Sequence, residues 1–171
     1  MSAAFYSYTE EINVANNNQI ATETILSLSQ LQKEQNIFRF NRNEVIKEIE
    51  IKDIQAIHSR AEEFGKDKTY REKYNVAVSR AVARLNILVE YLLPTVKVGG
   101  TCICMKGPDA QEEIREAKNA IQLLGGELEK VEEFTLPDTD IKRTIITIKK
   151  TKNTPNKYPR KAGNPAKNPI K

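Results

Sequence analysis

Residues 74–85, YNVAVSRAVARL, constrain this chain more than any other stretch. Val76 and Val78 recur with the period of a half-buried strand, and the alternation stops at Ser79-Arg80. A helical spacing takes over at once through Ala81, Val82, Leu85, Leu88, Val89 and Leu92. A strand feeding directly into a helix is the building unit of parallel α/β sheets. In open sheets of that kind ligands bind outside the carboxyl ends of the strands. Arg80 stands at such an end, where a cation serves a site rather than solubility.

The same alternation runs through the residues that follow asparagine 43. Val45, Ile46 and Ile49 suit a helix face, and residues 54–58 read as a short strand. A helix over 82–93 is loosened near its end by Pro94, and Val98-Gly99-Gly100 reads as a turn. A strand over 101–105 leads to a helix over 109–124, with Asp109 as N-cap and Gly125 as stop. Strands over 128–135 and 144–148 flank Pro137-Asp138-Thr139-Asp140. They lie close enough to pair antiparallel, whereas the earlier strands alternate with helices and should run parallel. This is the closing half of a doubly wound α/β sheet. Three regions result: an unassigned segment 1–42, an α/β domain 43–150, and a basic, proline-rich arm 151–171. The arm has too few apolar residues for a core element, so it is expected to be extended.

Residues 1–42 differ from the rest. They are rich in Asn, Gln, Ser and Thr, and the first glycine of the chain is Gly65. A glycine loop that cradles phosphates or a dinucleotide is therefore excluded from this half. The 171 residues suffice for one domain with a core. No apolar run approaches the ~20 residues of a membrane helix. The N-terminus lacks the basic-then-apolar order of a secretory signal. Cys102 and Cys104, two apart on a strand, share one face and read as buried thiols in a reducing cytoplasm; no ligand set for a metal accompanies them. The net charge of +4 hides an asymmetry: every charged residue from Lys149 onward is basic. Such a tail points to a polyanion partner, or is simply a solvated end; composition leaves the two about even. His58, the only histidine, sits in a strand context that suits packing better than catalysis.

Four segments together resemble one family. They are IHSRAEEF from Ile57, YREKY from Tyr70 running into SRAVARL from Ser79, Gly99-Gly100 with Met105-Lys106-Gly107, and the tail TPNKYPRKAGNP from Thr154. In order and spacing they resemble the bacterial small-subunit ribosomal RNA (guanine-N7) methyltransferases, the glucose-inhibited division protein B family, over about 43–170. The resemblance implies the class I, Rossmann-like methyltransferase fold and S-adenosylmethionine as methyl donor. It implies 16S ribosomal RNA or the small ribosomal subunit as partner, a cytoplasmic monomer, and no role for DNA or membrane. It also implies that Ala61, Glu62 and Arg80 are cofactor-side residues. Lys106 and Arg143 would face the RNA, and Lys157, Arg160 and Lys161 would bind it from the arm. No catalytic side chain is implied. Each has a plainer alternative: Glu62 beside Glu63 as a helix-favouring charge, and Lys106 as a cap on the sheet edge.

One departure bears on activity. The family opens its fold with a glycine-rich loop of the type D-x-G-x-G-x-G-F-P-G and a strand ending in an acidic residue for the ribose. Neither occurs here, and residues 1–42 show no match, as in a truncated or frame-shifted product lacking its first strands. The expectation is a chain that binds S-adenosylmethionine weakly or not at all. A non-catalytic RNA-binding remnant is the alternative.

Overall fold

The computed structural model describes residues 2–7, 10–15, 54–80, 82–108 and 110–171. The helix face expected around Val45–Ile49 and the Asp109 cap lie outside the described residues. Seven strands form one sheet: β1 (Ser2–Ser7), β2 (Glu10–Ala15), β3 (Ile54–His58), β4 (Tyr74–Arg80), β5 (Val96–Lys106), β6 (Gly126–Thr135) and β7 (Lys142–Lys150). Among the described residues four helices accompany them: α1 (Ala61–Lys66), α2 (Leu85–Leu92), α3 (Ala110–Leu123) and the short α4 (Asn164–Lys167). The strand order is β3-β1-β2-β4-β5-β7-β6. β4 and β5 run parallel, as do β1 and β3, and β7 is antiparallel to both β5 and β6. The expected α/β sheet with an antiparallel closing pair is therefore what the chain forms. The unassigned N-terminal residues supply β1 and β2, an antiparallel pair inserted between β3 and β4.

The core lies between the sheet and α1–α3. In β7, Thr144, Ile146, Ile148 and Lys150 are buried while the residues between them are half-buried, the alternation of a strand covered on one face. Leu85, Leu88, Val89 and Leu92 of α2 and Ala117, Ala120 and Ile121 of α3 meet that face. The alanines of α3 permit close approach of helix to sheet. Cys102 and Cys104 are free, buried thiols, and burial pushes Cys104 up to about 12. Gly125 ends the α3 turn in the left-handed region (φ 84), where a Cβ would lie 2.2 Å from the Lys152 carbonyl oxygen.

Two local expectations are corrected. Helix α2 begins at Leu85, not Val82, because a side chain from α3 caps it there: Glu113 Oε2 accepts the Leu85 N–H at 2.8 Å. Val98-Gly99-Gly100 is not a separate turn but an excursion inside β5. The register moves from Tyr74 opposite Val96 to Val76 opposite Thr101. Gly99 (φ 85) turns the chain there.

The largest correction concerns residues 151–171. They form little regular structure, as expected, but they are a strap fastened across the helices rather than a free arm. Tyr158, Pro159, Pro165 and Ile170 are buried. Three glutamates each accept one backbone N–H of the strap: Glu72 from Thr154 (2.7 Å), Glu90 from Arg160 (2.8 Å) and Glu62 from Gly163 (2.8 Å). The Arg71 guanidinium donates to the carbonyls of Gly65 (3.0 Å), Tyr158 (2.7 Å) and Thr154 (2.7 Å). Lys150, fully buried, donates to Leu93 O and Thr154 Oγ1 and pairs with Glu72 at 3.2 Å. Burial pushes the Lys150 ammonium down, opposed by the Glu72 charge. For Glu72, burial alone would raise the carboxyl; hydrogen bonds from Asn153 and Thr154 and the Lys150 charge outweigh it and hold the group below its ordinary value.

Candidate functional site

The register sets the carboxyl ends of the parallel strands in one line. Tyr6 of β1 pairs with His58 at the end of β3, Glu11 of β2 with Arg80 at the end of β4, and Arg80 with Met105 near the end of β5. Beyond Met105, Lys106 pairs with Thr144 of β7, whose Oγ1 donates to Gly107 O at 3.1 Å. This edge is the ligand-binding side of an open α/β sheet.

Arg80 is exposed at the centre of that edge. Among the described residues its guanidinium has no ion-pair or hydrogen-bond partner. The preceding Ser79 is 1% exposed, and its Oγ has no hydrogen-bond partner. Arg80 is thus a cation left open at a strand end, while Ser79, its neighbour along β4, lies on the opposite, buried side, where an unpartnered hydroxyl is uncommon. The segment after Arg80 is held from α3. Lys106 pairs with Glu113 at 2.8 Å and donates to Ala83 O, while Arg84 pairs with Glu116 at 2.8 Å.

Other residues expected at the site are placed elsewhere or engaged. Ala61 is buried at the start of α1 in the core. Glu62 follows it, 7% exposed, with its Oε1 on the strap's Gly163. Lys106 does not face outward: its side chain is 10% exposed and turned to Glu113. Its capture of Ala83 O holds the segment that follows Arg80. Arg143 is half-buried and donates to its neighbour's carbonyl, Lys142 O, at 2.9 Å. Arg160 is spent on Glu90, whose side chain is fully buried, through Nε (2.9 Å) and Nη2 (2.7 Å). That geometry is the two-pronged grip of guanidinium on carboxylate. Lys157 lies 5.3 Å from the Tyr158 ring centre and, like Lys161, is exposed. Of the basic residues expected on RNA, Lys157 and Lys161 are thus left open to solvent. Sequence reasoning missed Arg71, Glu72, Glu90 and Lys150 as the fasteners of the strap. The signal was an unbalanced one: charges inside apolar patterns, Glu90 within LNILVEYL and Lys150 at the end of TIITIKK.

The S-adenosylmethionine implied by the resemblance fits this edge only in part. Arg80 offers an exposed cation there, while Ser79 is buried. The two residues that join β1 to β2 in the sequence, Tyr8 and Thr9, include no glycine of the kind that lets backbone close onto a bound group. The Glu62 carboxylate is already engaged by the strap.

The family model of rRNA small subunit methyltransferase G matches residues 25–145. The match starts well before Asn43, so the segment read as matching nothing belongs in part to the family region. The chain is 56% identical over 128 residues to the ribosomal RNA small subunit methyltransferase G of Acetivibrio thermocellus, covering 75% of this chain and 52% of the relative. To that of Alkaliphilus metalliredigens it is 54% identical over 128 residues, 75% of this chain and 54% of the relative. To that of Clostridium novyi it is 47% identical over 146 residues, 85% and 58%. The chain thus spans about half the length of the curated relatives it matches.

Proposed function

This chain belongs to the rRNA small subunit methyltransferase G family, and from that premise we propose that it is part of an S-adenosylmethionine-dependent enzyme methylating guanine N7 in 16S ribosomal RNA of the cytoplasmic small subunit. The observation that carries the reading is Arg80, an unpaired cation at the carboxyl edge within a region closely related to proteins of that name. Guanine N7 has a lone pair and no proton, so attack on a sulfonium methyl needs no general base; alignment and charge balance are what the protein must supply. Arg80 suits gripping a phosphate or the N7 and O6 edge of guanine. Lys106, Glu113 and Glu116 hold the following loop in place. The bound cofactor would supply the methyl group.

A second reading has a specific observation in its favour. The sequence holds no glycine before Gly65 while Lys157 and Lys161 are exposed, a combination that suits an RNA-binding protein without transferase activity. Radiolabelled S-adenosylmethionine and unmethylated 16S RNA separate the two. The first reading expects label in 7-methylguanine, at a rate far below that of a relative of full family length. RNA binding without any label establishes the second, and label in another base contradicts the N7 assignment.

A further inference from the structure

Away from the carboxyl edge, a groove of about 640 Å³ runs between α2, α3 and the end of the strap. Among the described residues its lining holds the basic side chains of Arg84, Arg115, Lys118 and Lys171 and one acidic side chain, Glu116; Lys171, the last residue, also brings its backbone carboxylate, one oxygen of which accepts from Asn119 Nδ2. Arg84 is committed to the Glu116 carboxylate. Arg115 and Lys118 are exposed and, among the described residues, form no ion pair. On α3, Arg115, Lys118, Asn119 and Gln122 recur at helical spacing and so present one continuous polar stripe. This stripe is not needed for the fold, because α3 packs on the core through Ala110, Ala117, Ala120 and Ile121.

The second wall brings an independent observation. Asn86 of α2 also lines the groove, is 7% exposed, and its Oδ1 is buried with no hydrogen-bond partner. A buried amide acceptor without a donor is uncommon in a folded protein. Asn86 and Glu90 are four residues apart on the same helical face. Glu90 is fully satisfied by Arg160, whereas Asn86 is left over. A ligand that fills the groove would therefore bring anionic groups to Arg115 and Lys118 and a donor to Asn86. A ribonucleotide chain carries both: phosphates and 2′-hydroxyls.

We propose that the α2–α3 groove is a second RNA-backbone site, in which Arg115 and Lys118 hold phosphates and Asn86 accepts from a ribose hydroxyl. Arg84 immediately precedes α2, a few residues beyond Arg80 at the sheet edge. RNA lying in the groove therefore leads directly to the strand end where the target base would be presented. The strap forms one wall through Pro169 and Lys171, so fastening the strap also builds this site. The inference rests on the RNA reading above and adds where RNA is held.

The test uses the full chain and a fluorescein-labelled single-stranded RNA 20-mer of mixed sequence, with Kd measured against salt concentration. Each phosphate contact on single-stranded nucleic acid contributes about 0.7 to the log–log salt slope. Arg115→Ala with Lys118→Ala is expected to lower the slope by about 1.4. Lys66→Ala with Lys68→Ala removes the same charge from exposed positions outside the groove and is expected to leave the slope unchanged. Asn86→Asp, which adds a negative charge to the groove, is expected to weaken RNA binding. Asn86→Ala is expected to weaken binding of this RNA more than of the same DNA sequence, which has no 2′-hydroxyl. An unchanged slope in the groove variant, or equal losses in groove and control variants, would overturn the proposal. So would no RNA binding by the unaltered chain. Transfer of label to 7-methylguanine is read separately, so the groove and the transferase reading can fail independently.

Discussion

The strap and the carboxyl edge of the sheet are both built from charged residues, and they are finished in opposite ways. Along the strap the anchoring polar groups are partnered. Arg71 reaches three carbonyls within 3.0 Å, Glu90 receives both a guanidinium and a backbone N–H, and the buried Lys150 is shared between Glu72, Thr154 and Leu93. At the edge, among the described residues, Arg80 stands unpaired and Ser79 Oγ is buried without a partner. A charge that is fully partnered inside a protein maintains its shape. One left open at a strand end is available to a ligand. The family-like tail motif, KYPRK, therefore holds two kinds of cation: Arg160 belongs to the fold and Lys157 and Lys161 to the surface.

Substitutions can break this contrast, and the strap should show the largest effects. Arg160→Ala leaves the fully buried Glu90 carboxylate with only a backbone donor. It is expected to cost about 3 kcal/mol or more, the loss that follows removal of one partner of a buried ion pair, read as a shift in the urea midpoint. Gly125→Ala places a Cβ against the Lys152 carbonyl in a left-handed backbone and should cost about 2 kcal/mol by thermal denaturation. An unaffected melting temperature in either variant would mean the strap is not anchored as described.

Acid should loosen the strap before it affects the edge. The Glu72 carboxyl titrates below its ordinary value in the folded protein. Its contribution is therefore fully present above the unfolded-state value and lost as pH falls through the folded one. Stability measured from pH 6 downward should fall in that window, and Glu72→Gln should flatten the fall. The smallest stability effect belongs to Arg80→Ala. An exposed, unpaired side chain is expected to change stability by less than about 0.5 kcal/mol, while RNA affinity drops and the salt slope falls by about 0.7. Equal losses of stability and RNA affinity would make Arg80 a structural residue.

The parts of this architecture that were legible in the sequence are those written in local periodicity. The alternation in β4 and β7, the apolar face of α2 and the glycine that stops α3 all read directly, because each depends on neighbours within a turn or a strand. The start of α2 was misplaced because its cap, Glu113, comes from another helix. The strap was misread for a related reason. Counting apolar residues in 154–171 predicts a free arm, yet the segment is held mainly by polar groups contributed from distant positions: Arg71, Glu72 and Glu90 lie 70 or more residues away in the chain. The position of Arg80 at a strand end was legible because strand-to-helix junctions are local. The engagement of Glu62 and Lys106 was not, because their partners Gly163 and Glu113 are brought in by tertiary packing alone.

The central claim, that the basic tail is a clamped strap, is tested most directly by native-state hydrogen exchange at three amides. Thr154, Arg160 and Gly163 each donate to a glutamate, Glu72, Glu90 and Glu62 respectively. If the strap is fastened as described, these amides should be protected to a degree comparable with core-strand amides of β5 and β7, and lose that protection together in Arg160→Ala. Exchange of all three at the rate of an unprotected loop, with the sheet still protected, would contradict it and return the tail to a free arm.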